Sequence, residues 1–387
     1  MRDLVRRIES ATPADRDRAI DALRAVAILG VVLGHWMVTA LVVDSGTLHG
    51  SSPLQYLPRF TPVSWVFQTL AVFFLVGGQV GARSYASARA RGESYGRWLR
   101  ARMSRLLRPV VVVLFVWTVA ACTMLAAEAD QDTVRALCKL VWSPLWFLVV
   151  FAVLTAATPL VARLHPLWPF AVVLITDLCR FGLDAPGGFA SVNVVAGWLV
   201  PYCLGAAWSR GDLCSRRSGW VLLIGGAATT AALVLRAGYP AAMVGVPGLE
   251  ISNLDPPTLA VVTFGLAQCG AALLLLGPLR RVLRRPAVWA AVATVNLSAM
   301  TIYLWHQTAM IAVTTTGLLV GGTLPGLHTV PDAPGWVLAR VAWLPVFVTA
   351  LLICWLAFRG YEQGRSPRRS VVIRKGRPSK SAAARRA

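Results

Sequence analysis

Ten stretches of roughly 20 mostly apolar residues, separated by turn-forming or charged segments, limit what this 387-residue chain can become. A helix of that length spans the ~30 Å hydrocarbon core of a bilayer. A helix also satisfies its own backbone where no water is present. The pattern therefore predicts an all-α, polytopic membrane protein with about ten transmembrane helices. The predicted spans are about 20–43, 63–83, 109–127, 144–163, 167–182, 191–208, 219–236 and 258–277, with two more within 288–320 and 336–358. Composition agrees: 56% of the residues are hydrophobic, and the mean hydropathy is +0.62.

The net charge of +21 would suggest nucleic acid as the partner of a soluble protein. Here the apolar runs make loop asymmetry the better account, and no nucleic acid is expected. With the N-terminus inside, only Arg59, Arg135, Lys139, Arg180, Arg236 and Arg340 fall on or near the outer side. The remaining basic residues lie inside, which predicts both termini in the cytoplasm and a multi-pass protein of the cell membrane. Residues 1–19 read as a basic cytoplasmic segment with no cleavable signal. Residues 20–359 form the membrane domain, and 360–387 a basic tail expected to be disordered. The seven cysteines form no CxxC pair and fall in or beside apolar runs. They predict neither a disulfide framework nor a metal site.

The first span holds the leading candidates, which read either as functional groups or as membrane-edge charges (Asp21, Arg24) and a structural histidine (His35). It reads Asp21-Ala-Leu-Arg24 and continues to Gly34-His35-Trp36. Ionisable groups at bilayer depth are costly and mark functional sites. Arg24 and His35 lie eleven residues apart, roughly three turns and about 16 Å of rise. Both therefore share one helix face, with Asp21 and Ile28. Gly30 and Gly34 form a small-xxx-small pair suited to close packing.

Further candidates follow along the chain. Arg102, Arg105 and Arg108 repeat at i,i+3, which places neighbours on one face. Guanidinium groups in that array grip phosphates bidentately, or meet anionic lipid. Span five contains Asp177 and Arg180 at pairing distance. Span nine places Asn296, Tyr303 and Gln307 on one stripe, with His306 flanking it. Span four opens with Trp146 in Leu145-Trp-Phe-Leu148, where an interface anchor is the favoured reading.

Five short motifs in order resemble the membrane-bound acyltransferase family 3. That family's first helix has an Asp-x-Leu-Arg-like start and an Arg followed ten residues on by His, as Asp21–Arg24 and Arg24–His35 do here. Phe73-Phe74-Leu-Val-Gly77-Gly78 is similar to its Phe-Phe-x-x-Ser-Gly, with glycine at the serine position. Arg102–Pro109 looks like its Arg-x-x-Arg-x-x-Pro region. Leu145–Leu148, and Ser298 to His306 as Ser-x4-Tyr-Leu-x-His, are also similar. The resemblance covers about residues 17–360.

The resemblance implies transfer of an acyl group, often acetyl, from cytoplasmic acyl-CoA to a hydroxyl of a glycan, lipid or small molecule, with no metal. Within it, His35 is the general base or a transient acyl carrier. Arg24 binds donor phosphate or polarises the thioester, and Asp21 orients Arg24. Arg102, Arg105 and Arg108 hold the CoA phosphates. Tyr303, His306, Asn296 and Trp146 line the substrate cavity. Some members carry a fused extracytoplasmic domain, and none is expected here. The alternative from the residues alone is a transporter or exporter of a polar solute, since intramembrane His and Arg also mark solute paths.

Overall fold

The structure is a computed structural model that describes residues 2–183 and 186–363. It is helical apart from one hairpin. The principal helices are α1 (Arg18–Val38), α2 (Leu70–Ala90), α3 (Tyr95–Ala126), α4 (Gln131–Trp142), α5 (Leu145–Ala156), α6 (Leu167–Gly182), α7 (Asn193–Arg210), α8 (Arg216–Arg236), α9 (Leu259–Val282), α10 (Pro286–Leu297), α11 (Ala299–Gly321) and α12 (Pro334–Gln363). After α1, β1 (Ala40–Asp44) and β2 (Thr47–Ser51) pair antiparallel with Ala40 opposite Ser51. Among the described residues, seven helical segments are long and apolar enough to cross a membrane, or eight if the bent pair α10–α11 counts as one. The all-α polytopic expectation holds. The helices α2 and α6 occupy two more of the expected positions without meeting that test.

The boundaries differ from the sequence reading in instructive ways. The second span starts at Leu70, not near 63. Residues before it turn instead, because Gln68 and Thr69 spend their side chains on other backbone. Thr69 donates to the Ala27 carbonyl of α1 at 2.7 Å, and Gln68 donates to that of Met243 at 3.2 Å. Pro109 does not open span three but lies inside α3. The preceding Arg, Leu, Met and Ala residues are good helix formers, so the basic run joins the apolar run in one helix. Asp177 and Arg180 form no salt bridge. Asp177 accepts from Asn193 Nδ2 at 3.0 Å, Tyr239 Oη at 3.0 Å and the Leu259 amide at 2.6 Å. A buried carboxylate is better held by three directed donors, one of them at the start of α9, than by a flexible cation. The last helix runs to Gln363, so the first residues assigned to the tail are helical. Residues 364–387 lie outside the described residues.

Helix α1 is the hub. It packs against α2, α9, α10, α11 and α12. Its small residues set the approach. A Cβ on Gly30 would meet Thr69 Oγ1 at 2.5 Å, and one on Gly34 would meet Phe67 Cβ at 3.0 Å. Helices α2 and α7 also pack backbone to backbone. A Cβ on Gly78 would collide with the Tyr202 carbonyl, and one on Gly205 with that of Leu75. Gly77 faces the Phe151 ring, which a serine there would have to push aside. Phe73, Phe74, Phe147, Phe151 and Trp198 form an aromatic wall on this junction. Away from the core, Val111, Phe115, Ile224 and Ile353 are exposed, each 62% or more, as lipid-facing residues would be.

Gly78→Leu or Gly205→Leu is expected to lower the detergent-solubilised Tm by more than about 5 °C, since backbone cannot yield as a side chain does. Gly225→Ala, where nothing lies within 4 Å, should change it by less than about 2 °C. Differential scanning fluorimetry with size-exclusion chromatography checks both.

Candidate functional site

The inner face of α1 meets a helix broken in two. Between α10 and α11 the axis bends by 72° at Ser298. The break frees the first amides of α11. Glu362, near the end of α12, takes the Met300 and Thr301 amides at 3.0 Å each and the Thr301 hydroxyl at 2.6 Å. A carboxylate at a helix N-terminus satisfies orphan donors and complements the dipole. The same face of α12 supplies Trp355, whose indole donates to Ser298 Oγ at 2.6 Å. It also supplies Phe358, stacked on Trp305 at 3.6 Å. The bend is thus clamped by α12.

Because of the bend, Asn296, Tyr303 and Gln307 do not form one continuous stripe, as a straight helix would give. They serve two separate stations. At the first, Arg24 Nε donates to Asn296 Oδ1 at 2.5 Å. Asn296 in turn donates to the carbonyls of Asp21 (2.7 Å) and Val292 (3.0 Å). Arg24 Nη2 stands 3.5 Å from Asp21 Oδ1. The Asp21 carboxylate is gripped more tightly by Arg16, at 2.6 and 3.1 Å. That bond holds the Arg16 guanidinium above its ordinary value. Sequence reading missed Arg16, which looked like one more basic residue of the leader. Arg24 keeps 32% of its side-chain surface accessible.

At the second station, His35 Nδ1 faces Gln307 Nε2 at 3.2 Å. The His35 and His306 rings lie 5.1 Å apart, tilted by 46°. His306 Nδ1 is 2.5 Å from the Tyr303 carbonyl. Tyr303 is itself buried, and its hydroxyl donates to the Pro144 carbonyl at 2.5 Å. His35 retains accessible surface, whereas His306 is 1% exposed. His306 Nε2 and Gln307 Oε1 are buried with no hydrogen-bond partner among the described residues. Each such orphan costs about 1–3 kcal/mol, so both are features that packing alone would remove.

Arg340 braces this station from α12. Charge counting puts Arg340 on or near the outer side. It is 1% exposed and has no carboxylate partner among the described residues. Its guanidinium donates to the carbonyls of Trp36 (2.6 Å), Thr39 (2.5 Å) and Gly326 (2.9 Å). The first two are the orphan carbonyls at the end of α1, where a cation is favoured. Trp36 passes the restraint on, its indole donating to the His306 carbonyl at 3.0 Å.

Other candidates lie further out. Trp146 packs beside Trp198 with ring centroids 6.0 Å apart. Arg102 lies over Trp98 at 5.9 Å, while Arg105 and Arg108 are exposed. A cavity of about 440 Å³ opens between α2 and α7, lined by Arg83, Tyr85, Ser209 and Arg210. It adjoins Trp98, which donates to Ser84 at 3.0 Å, and it does not include His35.

The fold and these two stations define a polytopic membrane protein with a guanidinium and an imidazole pair turned inward. A family model described as an acyltransferase domain, of the acyltransferase 3 type, matches residues 17–359, and the chain belongs to that family. It is a membrane acyltransferase, and this takes the place of the solute-transport alternative. Neither curated proteins nor solved structures yield a match to the chain.

Asn296→Leu removes the acceptor for Arg24 Nε. Acyl transfer should fall about ten-fold or more, with a Tm loss corresponding to about 1–3 kcal/mol. Turnover and thermal unfolding of the purified variant check this.

Proposed function

We propose that the protein moves an acyl group, acetyl in the first instance, from acyl-CoA to a hydroxyl of a glycan, lipid or small-molecule acceptor. One observation carries the reading: Arg24 and His35 share the inner face of α1 and are each met by one half of the bent α10–α11 helix. A guanidinium beside the donor suits a phosphate or the carbonyl of a thioester. An imidazole suits a hydroxyl that must lose a proton near neutral pH.

In this reading Arg102, Arg105 and Arg108 hold the CoA phosphates at the cytoplasmic end, where the basic segments lie. Arg24, oriented by Asn296, Asp21 and Arg16, takes the donor next. His35 faces the acyl carbon and acts on the acceptor or carries the acyl group. Tyr303, His306 and Trp146 shape the surrounding wall. CoA supplies the activated acyl group; the protein supplies position and electrostatics.

The test uses membrane vesicles holding the full chain and radiolabelled acetyl-CoA. His35→Ala should lower label transfer by a factor on the order of 10² or more while acetyl-CoA binding persists. Wild-type turnover in a folded His35→Ala protein removes His35 from the chemistry. Mass spectrometry of surface glycans, lipids and secreted metabolites, with and without the gene, identifies the acceptor by a lost acetyl increment.

A further inference from the structure

We propose that His306 is a second catalytic residue, whose Nε2 takes the proton of the acceptor hydroxyl while His35 donates a hydrogen bond to the oxyanion. This rests on the acyltransferase reading above and, in place of the base or carrier role given there to His35, assigns the proton transfer to His306 and leaves His35 the oxyanion.

The division follows from what each ring nitrogen meets. His306 Nδ1 faces the Tyr303 carbonyl at 2.5 Å. A carbonyl only accepts, so Nδ1 carries the proton and the neutral ring bears its lone pair on Nε2. That atom is buried without a partner among the described residues. The residue's backbone is tied by Trp36, whose indole donates to the His306 carbonyl, and Trp36 is tied by Arg340. The lone pair is therefore held in place and kept unspent.

His35 has the complementary form. The Gln307 amide nitrogen donates to its Nδ1 at 3.2 Å. The proton of a neutral His35 then sits on Nε2, as a donor. With the rings 5.1 Å apart, one imidazole offers a lone pair and its neighbour an N–H. Acyl transfer to a hydroxyl requires both.

In the step, the acceptor oxygen bonds to the acyl carbon as its proton passes to His306 Nε2. The carbonyl oxygen takes up the negative charge and is met by the His35 N–H. As the carbonyl re-forms, the C–S bond breaks, and the proton moves from His306 to the CoA sulfur. The ester and free CoA thiol leave with His306 neutral again, so atoms and charge balance.

The experiment assays the full chain in vesicles with radiolabelled acetyl-CoA, reading label transfer and CoA thiol release across pH. His306→Asn keeps a donor for the Tyr303 carbonyl but lacks the base. It should lower kcat about 100-fold or more, leave the KM for acetyl-CoA within about three-fold, and lose the acid limb of the wild-type pH profile. Gln307→Glu turns the donor facing His35 into an acceptor and moves the His35 proton to Nδ1. It should lower kcat about ten-fold or more, again with little change in KM. A folded His306→Asn protein with kcat within about three-fold of wild type, or with the acid limb intact, overturns the proposal and leaves the acyltransferase reading standing. If His306→Asn does not fold, a Gln307→Glu protein with wild-type kcat overturns it. A wild-type protein that transfers no label overturns both readings.

Discussion

A guanidinium and an imidazole on a helix inside a membrane must find partners within the protein, because lipid offers none. The arrangement of this bundle follows from that requirement. Arg24 and His35 lie eleven residues apart on α1, and their partners Asn296 and Gln307 lie at the same interval on α10–α11. Helical bonding of the Met300 and Thr301 amides to α10 carbonyls would have left α11 in line with α10. The bend instead leaves the start of α11 in need of an acceptor, and Glu362 provides it. A local loss of helix bonding is thus compensated from the last helix, as polar breaks within membranes require.

Packing holds these polar stations in register. Close glycine contact draws α2 against α7, and the aromatic wall beside it reaches Tyr303 through Phe147, at 5.5 Å. Tyr303 supplies the carbonyl that fixes His306. On the other flank α12 delivers Trp355, Phe358 and Glu362 to the bend and Arg340 to the end of α1. Close-packed interiors transmit small displacements, so contacts remote from the imidazoles still set their geometry.

Much of the membrane architecture was legible in the sequence, because span length is dictated by hydrocarbon thickness and needs no knowledge of neighbours. The shared face of Arg24 and His35 was legible for a similar reason, since helical periodicity is local. What failed was long-range. Asp177 and Arg180 had a spacing that permits pairing, but donors 62 and 82 residues from Asp177 won. Pro109 looked like a helix start, yet the helix-forming run before it carried through. The bend after Leu297 has no proline or glycine at the break, and its stabilising carboxylate lies over 60 residues away. Arg340 resembled a charge at the membrane edge. Only the convergence of three backbone carbonyls reveals it as buried.

The contact between Glu362 and α11 also bears on the order in which the protein is assembled. Chains are made from the N-terminus, so α1, α10 and α11 are synthesised before the carboxylate that closes the break exists. Until the final helix enters the bundle, the Met300 and Thr301 amides have no acceptor from it, and Trp36 and Thr39 lack the cation that gathers their carbonyls. The break before α11 and the end of α1 therefore complete their hydrogen bonding only once α12 has joined the bundle.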